Sequence, residues 1–278
     1  MIHLFEELCH TISKATTRKY STSFSLGIQA ISPRIRTDIY AVYGFVRLAD
    51  EIVDSFHGYN KGKLLKQLRD ETFEAIAAGI SINPILHSFQ RTVNKYQIDH
   101  QHIDTFLKSM EMDLQQIEYN DQKYDEYILG SAEVVGLMCL KIFVDGNQQQ
   151  YEQLKPAAMK LGSAFQKVNF LRDLRDDYVE LGRTYFPGVR MEQFDTKAKQ
   201  QIEQEIDTEF REALAGIKKL PTQARFGVYL AYVYYISLFR KIQRIPAEVI
   251  VKKRVRIPNA KKLSLVMSSY FQYKMQMI

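Results

Sequence analysis

A chain of 278 residues with 46% hydrophobic content has room for one large domain and a sizeable core. Only 13 Gly and 7 Pro punctuate it, which argues for long helices with short connections. Cys9 and Cys139 lie far apart and form no CxxC, which excludes a zinc framework and a disulfide scaffold, while a formal net charge of +6 suits phosphates, nucleic acid or anionic lipid without choosing among them.

The first residues, Met1 to Glu7, hold no basic segment followed by an apolar one, so no signal peptide is expected. Apolar periodicity predicts a first helix over 2–18. Ser32-Pro33 offers an N-cap with proline behind it, opening a helix that runs from about Ile35 to Val53. Further helices are predicted over 61–80, 100–118, 122–144, 148–180, 197–219, 222–243 and 260–275. His100-Gln101-His102 has no third ligand at metal spacing and reads as a surface loop. The apolar run from Phe226 to Phe239 contains four tyrosines and is shorter than the roughly 20 residues a bilayer span needs, so it reads as a buried helix. Glu248-Val249-Ile250-Val251 is the one tempting strand pattern. Lys252, Lys253, Arg254 and Arg256 lack interleaved aromatics and a recognition motif, so no nucleic-acid partner is expected. The tail from Leu263 to Ile278 reads as a packed helix, with membrane-surface contact as the lesser reading. Without repeats, low-complexity tracts or linkers, the chain reads as one all-α domain over 1–278.

The acids carry the most information. In the largely apolar stretch from Tyr40 to Asp54, Asp50 and Asp54 are four residues apart, on one helix face. Like charges at that spacing repel. Arg47 lies three residues before Asp50. The stretch from Phe165 to Tyr178 repeats the design, with Asn169, Asp173 and Asp177 at i, i+4 and i+8, Gln166 on the adjoining flank and Arg172 beside Asp173. Two repulsive carboxylate pairs in apolar helices call for a cation. Magnesium prefers oxygen ligands and shares its coordination among one or two carboxylates, waters and substrate phosphates. The predicted metal ligands are Asp50, Asp54, Asn169, Asp173 and Asp177, with manganese an acceptable substitute. Such a site would hold a diphosphate and neutralise it as it leaves carbon, with Arg47 and Arg172 contacting phosphate oxygens.

At these residues the sequence resembles the squalene/phytoene synthase family of head-to-head prenyl synthases. Asp50-Glu51-Ile52-Val53-Asp54 resembles its first Asp-rich motif, and Asn169-Phe170-Leu171-Arg172-Asp173 through Asp177 its second. Tyr20-Ser21-Thr22-Ser23-Phe24 resembles the N-terminal Ser-x-Ser/Thr-Phe signature. Tyr43 and Arg47 match the positions before the first motif, and Tyr127 with Ala132 through Gly136 the segment beside the substrate tunnel. Gly182 to Pro187 resembles the loop after the second motif, and Lys253-Arg254-Val255-Arg256-Ile257-Pro258 the basic C-terminal stretch. Tyr20 and Thr22 stand where some relatives carry His and Lys, and Glu133 where they carry a small residue; a charge beside an apolar tunnel is costly unless paired.

The resemblance implies a helical bundle around a central cavity. Loss of one diphosphate gives an allylic cation, a second molecule attacks to form a cyclopropyl diphosphate, and a second ionisation rearranges it to a 1-1′ linkage. The implied catalytic set is Asp50, Asp54, Asp173, Asp177, Arg47 and Tyr43. The implied substrate-binding set is Ser21, Ser23, Phe24, Arg47, Tyr127, Ala132, Gln166, Asn169, Arg172 and Tyr235. The Asp-Glu-Ile-Val-Asp form and Arg254 to Pro258 point to phytoene from two geranylgeranyl diphosphates. NADPH is not expected, and no GxGxxG occurs. The alternatives are a squalene or dehydrosqualene synthase using farnesyl diphosphate, a terpene cyclase, and a non-enzymatic assembly factor on the same fold, which loss of the Asp pairs would mark. A cytoplasmic location with peripheral contact to the inner face of a membrane is expected from the apolar product, and a desaturase would act downstream.

Overall fold

The computed structural model describes residues 2–115, 119–181, 183, 185–188, 194–252, 254–256, 265, 267–270 and 273. Among them are twelve α-helices and no strand: α1 (Ile2–Tyr20), α2 (Thr22–Ala30), α3 (Pro33–Asp54), α4 (Lys61–Ala78), α5 (Pro84–Tyr96), α6 (His100–Met112), α7 (Asp121–Ile128), α8 (Val134–Phe143), α9 (Gln148–Leu181), α10 (Thr196–Ile217), α11 (Thr222–Gln243) and α12 (Ala247–Ile250). A π-helical turn, Leu129–Glu133, joins α7 to α8.

Local chemistry sets the helix starts. Ser32 Oγ accepts from the Arg34 amide and Pro33 opens α3, as the sequence predicts. Two helices escape the sequence reading. Ser21 caps α2 through the Phe24 amide at 3.1 Å, but Gly27 in the middle of this nine-residue segment weakens its intrinsic signal, and packing on α11 supplies what propensity does not. Helix α5 begins with Asn83-Pro84, the same cap-and-proline pattern as α3. Its His87, Ser88, Gln90 and Thr92 are buried, so polar residues hide a core-facing helix.

Two further expectations are corrected, and two helix predictions are refined. The helix expected over 122–144 stays helical from Asp121 to Phe143 but widens into the π turn, where Ser131 Oγ donates to the Tyr127 carbonyl at 2.7 Å. Glu248 to Val251 is helical or turn, because Ala247 to Ile250 form α12 after Pro246. His100 to His102 form the first turn of α6, capped by Asp99, rather than a loop, and His102 Nε2 lies 2.8 Å from the Tyr151 hydroxyl. The helix expected over 100–118 ends at Met112, and residues 116–118 lie outside those described. Of the helix expected over 260–275, only 265, 267–270 and 273 are described, all helical.

Two hydrophobic cores flank the centre. One gathers α3, α5, α6 and α8 around Phe45, Phe89 and Phe106. The other gathers α7, α9, α10 and α11 around Phe170, Phe210 and Phe239. Helix α9, 34 residues long, packs on both α8 and α10. Between the cores lies a cavity of about 680 Å³. Among the described residues no helix is long and apolar enough to cross a membrane.

Candidate active site

Every side chain singled out in the sequence as catalytic, substrate-binding or metal-binding lines this one cavity. Helix α2 and its cap bring Ser21, Ser23 and Phe24, and α3 brings Tyr43, Arg47, Asp50 and Asp54. Tyr127 and Ala132 come from α7 and the π turn. Helix α9 brings Gln166, Asn169, Arg172, Asp173 and Asp177, and α11 brings Tyr235.

The two acidic motifs face one another across it. Burial, the Arg47 charge notwithstanding, pushes the Asp50 carboxyl up to about 7, with Asp54 and Asp113 adding to the rise. Burial also pushes Asp177 up to about 7, and both Asp173 on its own helix and Asp54 on α3 contribute. The carboxylates are thus electrostatically coupled between helices, the arrangement that a divalent cation relieves. Arginines sit among them. Arg183 Nη1 lies 3.0 Å from Asp54 Oδ1 and 3.4 Å from Asp113 Oδ1, and its Nη2 donates to the Asp113 carbonyl at 2.8 Å. Arg254 Nε lies 2.7 Å from Asp173 Oδ1. Arg172 Nε donates to the same carboxylate at 2.9 Å. Arg47 pairs with Glu51 one turn on, and its guanidinium lies 4.1 Å over the Tyr20 ring.

Aromatic rings form the wall beyond the acids. Phe165 stacks on Tyr235 at 3.9 Å, and Phe24 lies 5.9 Å from Tyr43 and 6.0 Å from Tyr235. The Tyr235 hydroxyl donates to Asn169 Oδ1 at 3.3 Å, which satisfies a phenol that burial pushes above its ordinary range. Burial also pushes Tyr43, in contact with Ser21, up to about 12. The far end is apolar, with Leu140, Phe143, Leu154, Ile217 and Leu220.

Asp113, Arg183, Tyr185, Phe165 and Arg254 line the cavity as well but were not among the residues assigned to the site. Arg183, Tyr185 and Arg254 lie within the motif-like stretches, which were the signal available for them. Asp113 has no spaced partner acid, so nothing in the sequence set it apart. Gly182, Thr184, Lys253, Ile257 and Pro258 of those stretches lie outside the described residues. Glu133 does not line the cavity. It is half-buried, pushed up to about 7 by burial and by Glu209, and offset by Lys160 and Lys167.

The profile of the squalene/phytoene synthase family matches residues 17–261. The chain belongs to that family. Among curated members, phytoene synthase of Arthrospira platensis is 28% identical over 284 residues, covering 92% of this chain and 89% of the relative. Phytoene synthase 3 of Zea mays is 25% identical over 275 residues, and there the match spans 92% of this chain but 64% of the relative's length. The 4,4′-diapophytoene synthase of Staphylococcus haemolyticus is 24% identical, covering 96% and 97%. A crystal structure of a dehydrosqualene synthase superposes with a TM-score of 0.81 over 97% of this chain and 98% of the other, at 19% identity. A squalene synthase from Alicyclobacillus acidocaldarius gives 0.73 over 86% and 93%, at 20% identity. These likenesses show that the chain shares the fold of those two synthases.

Proposed function

We propose that this family member is a phytoene synthase, a prenyltransferase that joins two geranylgeranyl diphosphates head to head through a cyclopropyl diphosphate, with residues 1–278 acting as one catalytic domain. The observation that carries the reading is the meeting of four carboxylates from α3 and α9, among arginines and other polar groups, in a cavity whose remaining wall is aromatic and aliphatic. A prenyl diphosphate has the same division: a charged head and a long apolar tail.

The residues present fit magnesium. Their donors are all oxygen, the Asp54 charge raises the Asp50 carboxyl and, with Asp173, the Asp177 carboxyl, and Asp50, Asp54, Asn169, Asp173 and Asp177 would hold it. Among the described residues no group of three acids, histidines or cysteines is placed to hold an ion by itself, so waters and substrate phosphate oxygens would have to complete the coordination of magnesium here. When bound, it supplies charge neutralisation to the departing diphosphate. Arg47, Arg172, Arg183 and Arg254 add guanidinium donors around the same oxygens. Ser21 and Ser23 border the head, and Gln166 and Asn169 fix it from α9. Once ionisation leaves an allylic cation, the π faces of Phe24, Phe165 and Tyr235 stabilise it, and the apolar wall excludes water that would trap it as an alcohol. Tyr43 and Tyr127 flank the reacting carbons between the two acid motifs, and Ala132 keeps the tunnel open beside Tyr127.

The forty-carbon assignment is supported by the curated relatives named as phytoene synthases. A second reading, dehydrosqualene from two farnesyl diphosphates, is supported by the curated relative named as a 4,4′-diapophytoene synthase. The test is product analysis with magnesium and either substrate, with and without NADPH. Phytoene from the longer substrate, independent of NADPH, is expected. A thirty-carbon hydrocarbon would replace that assignment with the second reading, and no hydrocarbon from either would overturn the enzymatic one.

A further inference from the structure

Arg183 occupies an unusual position. Its guanidinium is nearly buried and touches three acceptors at once: the Asp54 carboxylate on α3, and both the carboxylate and the backbone carbonyl of Asp113 at the end of α6. Its own amide donates to the Asp177 carbonyl at 3.0 Å, which ties it to the end of the second motif. Tyr127 OH donates to the other oxygen of Asp113 at 2.9 Å, and the Tyr185 hydroxyl lies 3.4 Å from Arg183 Nη1. The guanidinium therefore pairs with the first acid motif while its backbone amide is tied to the end of the second, and it rests on a carboxylate that belongs to neither.

We propose that Arg183 is a positioning residue that competes with the divalent cation for Asp54, with Asp113 as its resting anchor, so that cation affinity depends on whether a diphosphate is present. This rests on reading Asp50, Asp54, Asp173 and Asp177 as the metal-binding acids. A carboxylate oxygen engaged by a guanidinium is a poorer ligand, because the positive charge opposes the incoming ion and the lone pairs are shared. A diphosphate entering the same cavity offers Arg183 a second anion. Asp54 is then released to the metal. Metal and diphosphate affinities rise together, and linkage makes the effect reciprocal. The cavity is thereby kept from filling with metal before substrate, and Asp113 keeps the guanidinium within reach of both partners.

The test is Mn²⁺ binding to the full chain, with free Mn²⁺ followed by electron paramagnetic resonance, and separately the binding of inorganic diphosphate at saturating Mn²⁺. Arg183→Gln should bind Mn²⁺ alone about fivefold or more tightly than the wild type and inorganic diphosphate more weakly by a similar factor. Asp113→Asn should move the first quantity the other way, because Arg183 then leans wholly on Asp54. A merely structural role would weaken Mn²⁺ binding in both variants, and that outcome, or an unchanged Mn²⁺ affinity in Arg183→Gln, overturns the inference. Should Arg183→Gln fail to fold by circular dichroism, Arg183→Lys replaces it: the shorter, single-centred cation cannot span Asp54 and Asp113, so Mn²⁺ should again bind more tightly, and a wild-type value is the overturning result. If the wild type itself binds no Mn²⁺, with or without inorganic diphosphate, the metal reading under the proposed function falls, and this inference with it.

Discussion

Phe165 on α9 and Tyr235 on α11 lie face to face, 3.9 Å apart and 17° from parallel, on the cavity wall next to the acids. The pair joins two helices of the second core and lines the cavity. Tyr235 also holds Asn169 through its hydroxyl. Tyr235→Leu should lower hydrocarbon formation by roughly tenfold and divert substrate to prenyl alcohols, because water gains access to the cation. Tyr235→Phe should keep most of the partition and lose only the support of Asn169. Gas chromatography of extracted products reads both.

Asp50→Ala and Asp173→Ala should abolish turnover without unfolding the protein. Asp50 lies within a repulsive set, so its removal relieves strain as well as burial. The apparent melting temperature of Asp50→Ala in chelator should match or exceed that of the wild type. Unimpaired turnover in either variant would remove the acid motifs from the mechanism.

Stability should depend on pH through the same groups. Asp50, Asp113, Asp177 and Glu133 are each raised to about 7 in the fold, against roughly 4 for an unfolded carboxyl. Between those values the folded state binds more protons, so stability is greatest below about pH 4 for these groups and falls as pH rises towards about 7. Thermal melts in chelator should give a lower midpoint at pH 8 than at pH 5. Magnesium with inorganic diphosphate should restore the midpoint at pH 8 more than at pH 5, where the acids are protonated.

Lys167 sits one residue from Gln166 but faces α10, where its ammonium lies 2.8 Å from Glu209 and also pairs with Glu205. Ser163 donates to the same Glu209 oxygen at 2.8 Å. Both Lys167 and Glu209 side chains are only 5% exposed, so solvent screens the pair weakly. Lys167→Met would leave Glu209 buried and short of its main partner, at a cost of about 3 kcal/mol, measurable by urea denaturation. The double change Lys167→Met with Glu209→Leu should recover most of the loss, since the uncompensated charge goes with it.

Gly227 marks the closest approach of α11 to α2. A Cβ there would stand 2.6 Å from the Gly27 carbonyl oxygen and would overlap the Ile31 side chain. Because the obstacle includes backbone, Gly227→Ala should cost about 2 kcal/mol. It should also raise KM for the prenyl diphosphate, because α2 carries Ser23 and Phe24 into the cavity and must shift to admit the methyl group.

The sequence by itself determined the helical class, the start of α3 at Ser32-Pro33 and the two helix faces that bear Asp50 with Asp54 and Asn169 with Asp173 and Asp177. Those features are local: a cap, a proline and a spacing of four residues act within one or two turns. The motif resemblance named further residues, from Ser21 to Tyr235, that share the cavity. Tertiary structure decided the rest. Helices α2 and α5 exist because packing overrides a central glycine in one and polar residues in the other. The π turn at Leu129–Glu133 accompanies the close fit of Gly130 against Ser109 on α6, where even a methyl group would stand 2.6 Å from Ser109 Cβ. Asp113 joins Asp54 through Arg183, 70 residues further along the chain than Asp113. No spacing rule reaches across that distance, since the partners meet through the packing of α3, α6 and the end of α9 rather than through any one helix. Glu133, a costly charge beside the tunnel when read from sequence, turns out not to line the cavity, and the charges of Lys160 and Lys167 partly offset its burial.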